Sequence, residues 1–418
     1  MSSTEIYVSM DLGPQTHLLG RLWCHTRKDR ESASFEYDKG WLSHPEKFAL
    51  EPAIILTQGA FHTQASQRIF GAIGDSAPDR WGRVLMRRAN SKNARAKGEA
   101  PKTLHEIDYL LMVNDESRQG ALRFSLAPSG PYLSPKDRKS IPPLVDLPKL
   151  LSATERYLDD DESAQDLKLL LAPGSSLGGA RPKASVRDKD GSLAIAKFPK
   201  KDDEYNVVAW EAVALKLAEK AKIKVPKSRL ENILGKSVIV ISRFDREGKN
   251  RLPFLSAMSM LGAKDGEQHS YIEIAYALAQ YGAQPNIDMI ELWRRMVFNI
   301  LISNTDDHLR NHGFIYVRQE GWKLSPSYDL NPTPAEIKPR ILTTAINLED
   351  SSASLELALS VIDEFRISKK QAYIIIQEVS KAVIQWKEVA KSYHLSVTEI
   401  DRMTSAFEHR DLQMALKI

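Results

Sequence analysis

The chain has 418 residues and an ordinary globular composition, 42% hydrophobic and 27% charged, which allows two or three domains with separate cores. Its formal net charge of +4 is too small to indicate a nucleic-acid partner by itself, and the single cysteine, Cys24, excludes an intramolecular disulfide and a cysteine zinc site. The polar N-terminus and the lack of a long apolar run lead us to expect a cytoplasmic protein without membrane contact.

The first 125 residues mix strand-like and helical patterns. Residues 5–11 alternate as a strand does, residues 40–42 resemble the beginning of a strand, and a helix is predicted to begin near Trp81. Residues 87–102 are rich in Arg and Lys. We interpret them as a solvated loop, with a contact to DNA or a protein partner as the alternative.

The middle of the chain indicates a connector followed by a small α+β portion. Residues 128–148 are rich in proline, which is typical of an irregular linker, and the acidic residues 159–162 are interpreted as a solvated helix end. Beyond residue 165 the pattern changes to loop, strand, helix and strand, and from Ile272 it is mainly helical. We therefore predict an α+β protein with four parts, namely 1–125, 126–165, 166–246 and 247–418.

The Gly-rich segment 173–183 is the first candidate for contact with a ligand. Glycines let backbone N–H groups approach a polyphosphate, although no Lys-Ser or Lys-Thr pair follows as in a Walker A loop. The strand predicted at 192–199 carries Lys197 among apolar residues, and the helix from about 204 to 220 carries Glu211 on an apolar face. Because buried charges require partners, we predict that these two residues form an ion pair; an exposed strand end is the alternative for Lys197.

A buried strand that ends in polar residues is predicted at 237–246. The exit from such a strand can present backbone groups to an adenine ring, so we expect Ser242, Arg243 and Phe244 to line an adenine slot. The alternative is a plain core strand with Phe244 in the interior.

The loop 304–311 has the spacing of a catalytic loop. Asp306 precedes Asn311 by five positions, directly after an apolar run, as the catalytic base precedes a magnesium ligand in protein kinases. Asp329 follows after a short strand-like passage. Phosphoryl transfer from ATP needs one group that orients the hydroxyl nucleophile and oxygen ligands that hold Mg²⁺, and Asp306, Asn311 and Asp329 suit these roles.

Two other functions would use the same residues. Asp306, Asp307, His308 and His312 are a candidate metal cluster for hydrolysis, but this reading leaves the Gly-rich segment and Lys197 unexplained. A catalytically silent kinase-fold protein that only holds a partner or DNA is the second alternative.

With these motifs in place, the chain resembles the HipA family of serine/threonine kinase toxins from bacterial type II toxin–antitoxin modules. The resemblance extends over nearly the whole chain and is carried by residues 74–83 (GDSAPDRWGR), 120–124 (GALRF), 176–183 (SLGGARPK), 243–246 (RFDR), 305–311 (TDDHLRN) and 328–329 (YD). It implies a two-lobed, protein-kinase-like fold with an N-terminal mixed α/β subdomain and a helical C-terminal lobe.

Carried over by position, the resemblance implies Asp306 as catalytic base, with Asn311 and Asp329 as Mg²⁺ ligands. It implies ATP contacts from Gly178, Gly179, Ala180, Lys183, Lys197, Ser242, Arg243, Phe244, His308, Arg310 and Asn311.

Two positions leave the assignment open. Ser176 aligns with the serine that family members autophosphorylate to silence themselves, and adjacent Ser175 leaves the modified position ambiguous. Asp307 stands where better-known members carry glycine, so either aspartate is a candidate base, although the spacing to Asn311 favours Asp306.

The resemblance also implies partners. They are a small helix-turn-helix antitoxin, operator DNA bound through the antitoxin complex, and a protein substrate of the aminoacyl-tRNA synthetase class. The implied activity is that of a growth-inhibiting protein kinase that autophosphorylates on its Gly-rich loop.

Overall fold

The computed structural model of the chain describes residues 2–27, 30–65, 67–128, 130–133, 141–171 and 179–418. The strands are β1 (Ser2–Leu12), β2 (Gln15–Arg27), β3 (Arg30–Tyr37), β4 (Ala60–His62), β5 (Leu122–Ser125), β6 (Lys183–Arg187), β7 (Leu193–Lys197), β8 (Ser228–Ile233), β9 (Lys236–Ser242), β10 (Arg246–Glu247), β11 (Asn250–Arg251), β12 (Phe254–Ser256), β13 (Gly313–Val317) and β14 (Gly321–Leu324). The helices are α1 (Lys39–Ser43), α2 (Gly71–Asp75), α3 (Arg80–Ala96), α4 (Glu106–Met112), α5 (Leu147–Leu158), α6 (Ala164–Leu171), α7 (Val207–Lys220), α8 (Ala257–Met260), α9 (Tyr271–Tyr281), α10 (Pro285–Leu301), α11 (Leu355–Ser360), α12 (Lys369–Val383), α13 (Trp386–Ser392), α14 (Val397–Arg402), α15 (Thr404–Phe407) and α16 (Arg410–Ala415). Short 3₁₀ turns lie at Leu144–Asp146, Leu309–Asn311 and Ile362–Phe365.

The chain forms two compact units. Unit 1 comprises Met1–Asp202, Ile233–Lys236 and Val240–Leu255, and unit 2 comprises Asp203–Asn232, Ser237–Ile239 and Ser256–Ile418. The prolines of the predicted linker that the structure describes fall within unit 1. The division into four parts proposed from the sequence remains a prediction.

Unit 1 is built on an antiparallel sheet with the strand order β4-β3-β2-β1-β5. Strands β1 and β2 are joined by a tight turn at Gly13, whose φ of 62° lies in the left-handed region that glycine adopts without strain. Strand β5 pairs with β1, with Met10 opposite Leu122. The predictions of a strand at 5–11 and of a closing strand near 120–124 are confirmed.

Helix α3 begins where the sequence predicted. The Asp79 side chain accepts the backbone N–H of Gly82 at 2.7 Å and caps the helix, and Trp81 and Leu85 lie on its buried face. The region 40–42, predicted as the beginning of a strand, is instead helix α1, because Asp38 caps it by accepting the N–H of Gly40. A local cap therefore outweighed the strand pattern.

The solvated-loop interpretation of the basic segment 87–102 is wrong for its first half, which continues α3 to Ala96. Arg88 and Lys92 bind Glu162 at 2.9 and 2.8 Å, and the Glu162 side chain is fully buried. The hydrogen bonds from Arg88 lower the pKa of Glu162 to about 2. The acidic stretch 159–162 is therefore not wholly a solvated helix end, because basic residues of α3 neutralise its last member.

Strands β6 and β7 form an antiparallel pair in unit 1, and β7 falls within the strand predicted at 192–199. Lys183 lies directly opposite Lys197, and both side chains are buried. The backbone N–H of Phe198 donates to the carbonyl of Pro182 and extends the pairing by one residue.

Unit 2 is mainly helical, as predicted from Ile272 onward. Its core includes Trp210 of α7, Trp386 of α13 and Phe407 of α15, with the last two rings stacked at 4.7 Å between centroids. The β13–β14 hairpin interrupts the helices, with Phe314 opposite Leu324. The α+β prediction, with a mixed first part and a helical last part, is confirmed.

Within the described ranges, no helix combines the length and the apolar character needed to cross a lipid bilayer.

Candidate functional site

The loop that follows α10 is held firmly before it reaches Asp306. Asn304 is fully buried and donates from Nδ2 to Oδ1 of Asn299 at 3.1 Å. The carbonyl of Thr305 accepts both the backbone N–H of Thr343, at 3.1 Å, and its hydroxyl, at 2.8 Å. The backbone on the N-terminal side of Asp306 is therefore fixed by hydrogen bonds.

The Asp306 side chain is 67% exposed, and its charged neighbour is Lys338, with Nζ 3.7 Å from Oδ1. The Asp306 carbonyl accepts the Asn311 side-chain N–H at 3.2 Å and the His308 backbone N–H at 2.9 Å. These bonds join the predicted base to the predicted metal ligand. They turn the loop so that Asp306 presents its carboxylate to solvent.

The neighbouring Asp307 is buried and used within the protein. Its Oδ2 accepts Asn299 Nδ2 at 2.8 Å and the Tyr271 hydroxyl, and it lies 2.9 Å from Nε2 of His312. Burial opposes ionisation of Asp307, but the imidazole of His312 and these hydrogen bonds outweigh it and lower the pKa of the carboxyl below its usual value. Two adjacent aspartates therefore have different environments, one exposed and one fully engaged.

The segment that carries Asp329 lies along this loop. The Tyr328 hydroxyl donates to the carbonyl of Arg310 at 2.8 Å, and the Asn331 N–H donates to Oδ1 of Asn304 at 3.3 Å. Asp329 has φ 58°, a left-handed conformation uncommon for a residue other than glycine, and Asn331 Nδ2 donates to its Oδ1 at 3.2 Å. The two segments predicted to act together are thus hydrogen-bonded to each other.

The chemistry of these side chains fits Mg²⁺ better than a zinc-type metal. Asn311 and Asp329 supply the oxygen ligands that Mg²⁺ prefers, with its remaining positions usually filled by water and phosphate. Over the described part of the chain, no group of three or more His, Cys, Asp and Glu side chains could hold a metal ion. His308 and His312 flank a 3₁₀ turn and not an α-helix, and His312 faces Asp307.

The candidate nucleotide residues of the Gly-rich segment are only partly described. Gly178, Ser175 and Ser176 lie outside the described residues, whereas Gly179 has φ 84° and Ala180 is exposed. Lys183 is buried with Nζ 3.3 Å from Oδ2 of Asp79.

Lys197 ends β7 in unit 1, and Glu211 lies in α7 of unit 2, each with a buried side chain. The ion pair between them remains a prediction.

Arg243, expected beside adenine, uses its side chain inside the protein. Its guanidinium donates to both oxygens of Asp245 and to the carbonyls of Ser117 and Arg118, and only 1% of the side chain is exposed. The Arg243 backbone N–H is also engaged, donating to the carbonyl of Leu193 at 3.1 Å. Any adenine contact of this residue is therefore left to its carbonyl.

Ser242 and Phe244, on either side of Arg243, are half-buried. The Phe244 ring lies 6.2 Å from that of Phe254, so it packs against another aromatic side chain without being fully interior. The adenine slot remains a prediction for these two residues.

Arg310 and His308, the other predicted nucleotide contacts in unit 2, lie on the Asp306 loop. The Arg310 guanidinium pairs with Asp265, with one Nη2–Oδ2 contact at 3.1 Å, and 44% of the side chain is exposed. His308 is half-buried.

The residues that hold the loop 304–311 in place through hydrogen bonds were not identified from the sequence. Asn299 and Tyr271 hold Asp307, and Asn331 links the loop to the Asp329 segment. A signal existed for Asn299, because it is the polar residue in the apolar run 296–302. Tyr271 and Asn331 carried no signal, since nothing in their local pattern separates them from other polar or aromatic residues.

Comparison with known proteins supports the same region. A family model described as the HipA-like C-terminal domain matches residues 175–386, half of the chain. A Haemophilus influenzae protein named "Putative kinase" is 25% identical over 257 residues, which are 51% of this chain and 73% of that protein. A Sinorhizobium fredii protein named "Putative kinase Y4mE" is 25% identical over 194 residues, which are 40% of this chain and 44% of that protein.

A solved structure extends the likeness to the whole chain. The Shewanella oneidensis toxin–antitoxin complex of HipA, HipB and its operator DNA contains a chain that aligns with a TM-score of 0.62. The alignment covers 98% of this chain and 96% of that one at 15% sequence identity, which establishes likeness of fold. Together with the match to its C-terminal domain model, this means that the chain belongs to the HipA-like family.

Proposed function

We propose that this chain is an ATP- and Mg²⁺-dependent serine/threonine protein kinase. The observation that carries the proposal is the contrast between Asp306 and Asp307. Oδ2 of Asp307 accepts hydrogen bonds from protein donors. Asp306, in contrast, has an exposed carboxylate on a backbone that hydrogen bonds hold in place. A general base needs an accessible carboxylate in a defined position, and Asp306 meets both conditions.

The proposed reaction assigns a task to each residue. Asp306 accepts the proton of the substrate hydroxyl while the oxygen of that hydroxyl bonds to the γ-phosphorus of ATP. The bond between the γ-phosphorus and the bridging oxygen breaks, and ADP leaves with that oxygen. Asn311 and Asp329 would hold Mg²⁺, which when bound neutralises charge on the phosphates. Lys197 would contact the phosphates, and the backbone around Ser242 to Phe244 would line the adenine slot.

We further propose that the kinase acts as the growth-inhibiting toxin of a type II toxin–antitoxin module. Membership of the HipA-like family and the fold shared with the HipA chain of the Shewanella complex support this context. A small helix-turn-helix antitoxin of the HipB type and operator DNA bound through it are the proposed partners. An aminoacyl-tRNA synthetase is the proposed substrate class, and Ser176 or Ser175 the proposed site of autophosphorylation.

The decisive experiment compares wild type with Asp306→Ala for transfer of labelled phosphate from ATP. We expect transfer to fall by about 10²–10⁴-fold, the usual contribution of a positioned base, while nucleotide binding persists. Asp401→Ala, which removes another exposed carboxylate of unit 2, is the matched control and should remain active. Equal transfer by Asp306→Ala and wild type would refute the assignment.

Phosphoproteomics after induction of wild type and Asp306→Ala in cells would identify the substrate and the modified serine. Absence of transfer and of an ATP-dependent shift in melting temperature in the wild type would favour the silent binding protein.

A further inference from the structure

The motif at residues 74–83 has no task in the proposed reaction, yet two of its residues contact the base of the Gly-rich segment. Asp79 Oδ2 lies 3.3 Å from Nζ of Lys183, the first residue of β6, and the indole N–H of Trp81 donates to the Lys183 carbonyl at 3.1 Å. Both the side chain and the backbone of Lys183 are therefore held by residues that lie about one hundred positions earlier in the chain.

These contacts are buried and specific. The Asp79 and Lys183 side chains are 2% and 4% exposed, so neither charge is shared with bulk water. Asp79 has two tasks, because its Oδ1 caps α3 through the N–H of Gly82 while its Oδ2 faces Lys183. Burial raises the pKa of Asp79 to about 6, although Lys183 pulls it down, which is consistent with an ion pair in a desolvated place.

The register of β6 and β7 explains why Lys183 needs a carboxylate. Lys183 is directly opposite Lys197, and directly opposite side chains of an antiparallel pair lie on the same face with Cβ atoms about 4.5–5.5 Å apart. Two ammonium groups in this arrangement repel each other. Asp79 neutralises one of them, so that Lys197 can keep its charge for another partner.

The support behind Asp79 is rigid. The carbonyl of Pro78 accepts Arg83 Nε at 3.0 Å, and Arg83 forms a two-point ion pair with Glu106 at 2.7 Å. The carbonyl of Ser76 accepts the buried Arg118 at 2.9 Å. The motif is thus fixed to α4 and to the segment before β5 on one side, and to Lys183 on the other.

We propose that Asp79 and Trp81 are positioning residues for the nucleotide, and that Lys183 is the anchor of the Gly-rich segment and not a phosphate ligand. This inference rests on the proposed kinase function. The N-terminal motif would set the position of the strand that carries the loop and leave the Lys197 ammonium as the phosphate-facing charge of the β6–β7 pair.

The test measures KM for ATP, kcat and melting temperature for a set of full-length variants. Asp79→Asn keeps an acceptor for the Gly82 N–H but removes the carboxylate charge that faces Lys183. We expect KM to rise about tenfold, within the roughly 2–30-fold range for residues that act through others, with kcat changed less than about threefold. Trp81→Phe, which loses the indole donor and part of the buried ring, should raise KM by a smaller factor.

The double variant Asp79→Asn with Lys183→Gln separates anchoring from direct binding and guards against misfolding. It removes both charges, which is often tolerated where loss of one partner is not. We expect its melting temperature to return to that of the wild type, because the repulsion of Lys197 is gone. For the same reason its KM should lie within about threefold of the wild-type KM. A KM higher than that of Asp79→Asn would mean that Lys183 binds phosphate directly and would overturn the inference.

Asp38→Asn is the matched control, because Asp38 also caps a helix in unit 1 and should leave KM unchanged. An unchanged KM in folded Asp79→Asn would refute the inference while leaving the kinase proposal intact. If wild type bound no Mg·ATP, the kinase proposal would fail, and hydrogen exchange of residues 179–187 would still decide the anchor. Faster exchange there in Asp79→Asn supports the anchor, and unchanged exchange refutes it.

Discussion

Asp245 in unit 1 and Asp306 in unit 2 both lie in motifs rich in polar and charged residues, but the first is buried and the second is exposed. Asp245 is buried between Arg243 and Arg246 and accepts the backbone N–H of Gly120 at 2.8 Å. Burial opposes its ionisation, yet the two arginines hold the pKa of Asp245 well below its usual range. Asp306 has a lysine at 3.7 Å and is mostly exposed.

The difference distinguishes charges that build the fold from charges that remain available. The arginines on either side of Asp245 donate hydrogen bonds to the carbonyls of residues 116–120. This cluster therefore fixes the segment 243–246 to the segment 116–120. The polar residues around Asp306 fix its loop, the neighbouring Asp307 and the Asp329 segment, and they leave the Asp306 carboxylate exposed. A motif rich in charge therefore indicates chemistry where one group stays exposed and only weakly paired.

The largest effect on stability is expected for Arg243→Met. The change leaves Asp245 with one arginine, removes the Arg243 donor from the Ser117 carbonyl and leaves the Arg118 carbonyl with the donor from Arg246. Removing one partner of a buried pair costs about 3–5 kcal/mol of unfolding free energy, so the melting temperature should fall clearly. Arg310→Met, which breaks the exposed pair with Asp265, should cost about 0–1 kcal/mol. Equal losses would erase the distinction between the two regions.

Asp307→Asn should have the next largest effect. It removes the charge that faces His312 and receives the bonds of Tyr271 and Asn299, and hydrogen bonds to charged groups contribute about 1.5–3 kcal/mol. We expect a lower melting temperature together with a lower kcat, because the loop beneath Asp306 loosens. Asp306→Asn should lower kcat without lowering the melting temperature. If Asp307→Asn were as stable as wild type, the buried site would not support the loop.

A third prediction concerns Glu51, a buried carboxylate of unit 1 that accepts the Ala72 N–H at 2.6 Å. Burial raises the pKa of Glu51 from an ordinary value near 4.5 to about 7. Its contribution to stability is therefore present below about pH 4.5 and is lost as the pH rises through about 7. Glu51→Gln should raise the melting temperature at pH 8, by the equivalent of about 1–3 kcal/mol, and leave it unchanged at pH 4.5.

Glu162→Gln tests the opposite pH dependence, because the pKa of Glu162 is lowered whereas that of Glu51 is raised. Because the pKa of Glu162 is lowered to about 2, its contribution is present above about pH 4.5 and is lost as the pH falls through about 2. This variant should lower the melting temperature at pH 8. Shifts of the same sign in both variants would contradict the assigned environments.

The smallest effect is expected for Tyr328→Phe, which removes the hydroxyl bond to the Arg310 carbonyl. A single hydrogen bond contributes about 0.5–1.5 kcal/mol, so kcat/KM should fall by about 2–12-fold with little change in melting temperature. Tyr276→Phe removes an exposed hydroxyl bond to Glu364 elsewhere in unit 2 and should have no effect on kcat/KM. Equal activity of the two variants would mean that the Asp329 segment is positioned by other contacts.

Local patterns were enough to predict several elements and to single out the loop 304–311 as a candidate. The start of α3 near Trp81 followed from its apolar face, and β7 followed from its apolar run. Helix α1 was misread because the Asp38 cap is a single bond that periodicity does not record.

The partners of buried charges were beyond prediction, because they depend on residues far apart in the chain. Glu162 and Arg88 are separated by 74 positions, and Arg243 and Ser117 by 126. For the same reason the ion pair of Lys183 with Asp79 was not predicted, since nothing near Lys183 in the chain indicates Asp79 as its partner. The exposed state of Asp306 and the buried state of Asp307 also required the fold, because both are polar residues in one loop.

The path of the chain between the two units has a consequence for any attempt to study them apart. Lys236 belongs to unit 1, Ser237–Ile239 to unit 2 and Val240 again to unit 1, so β9 supplies residues to both. A premature stop near this strand would remove residues from both units at once, and a proteolytic cut there would interrupt both units. Fragments ending there should fold poorly, because neither unit would be complete.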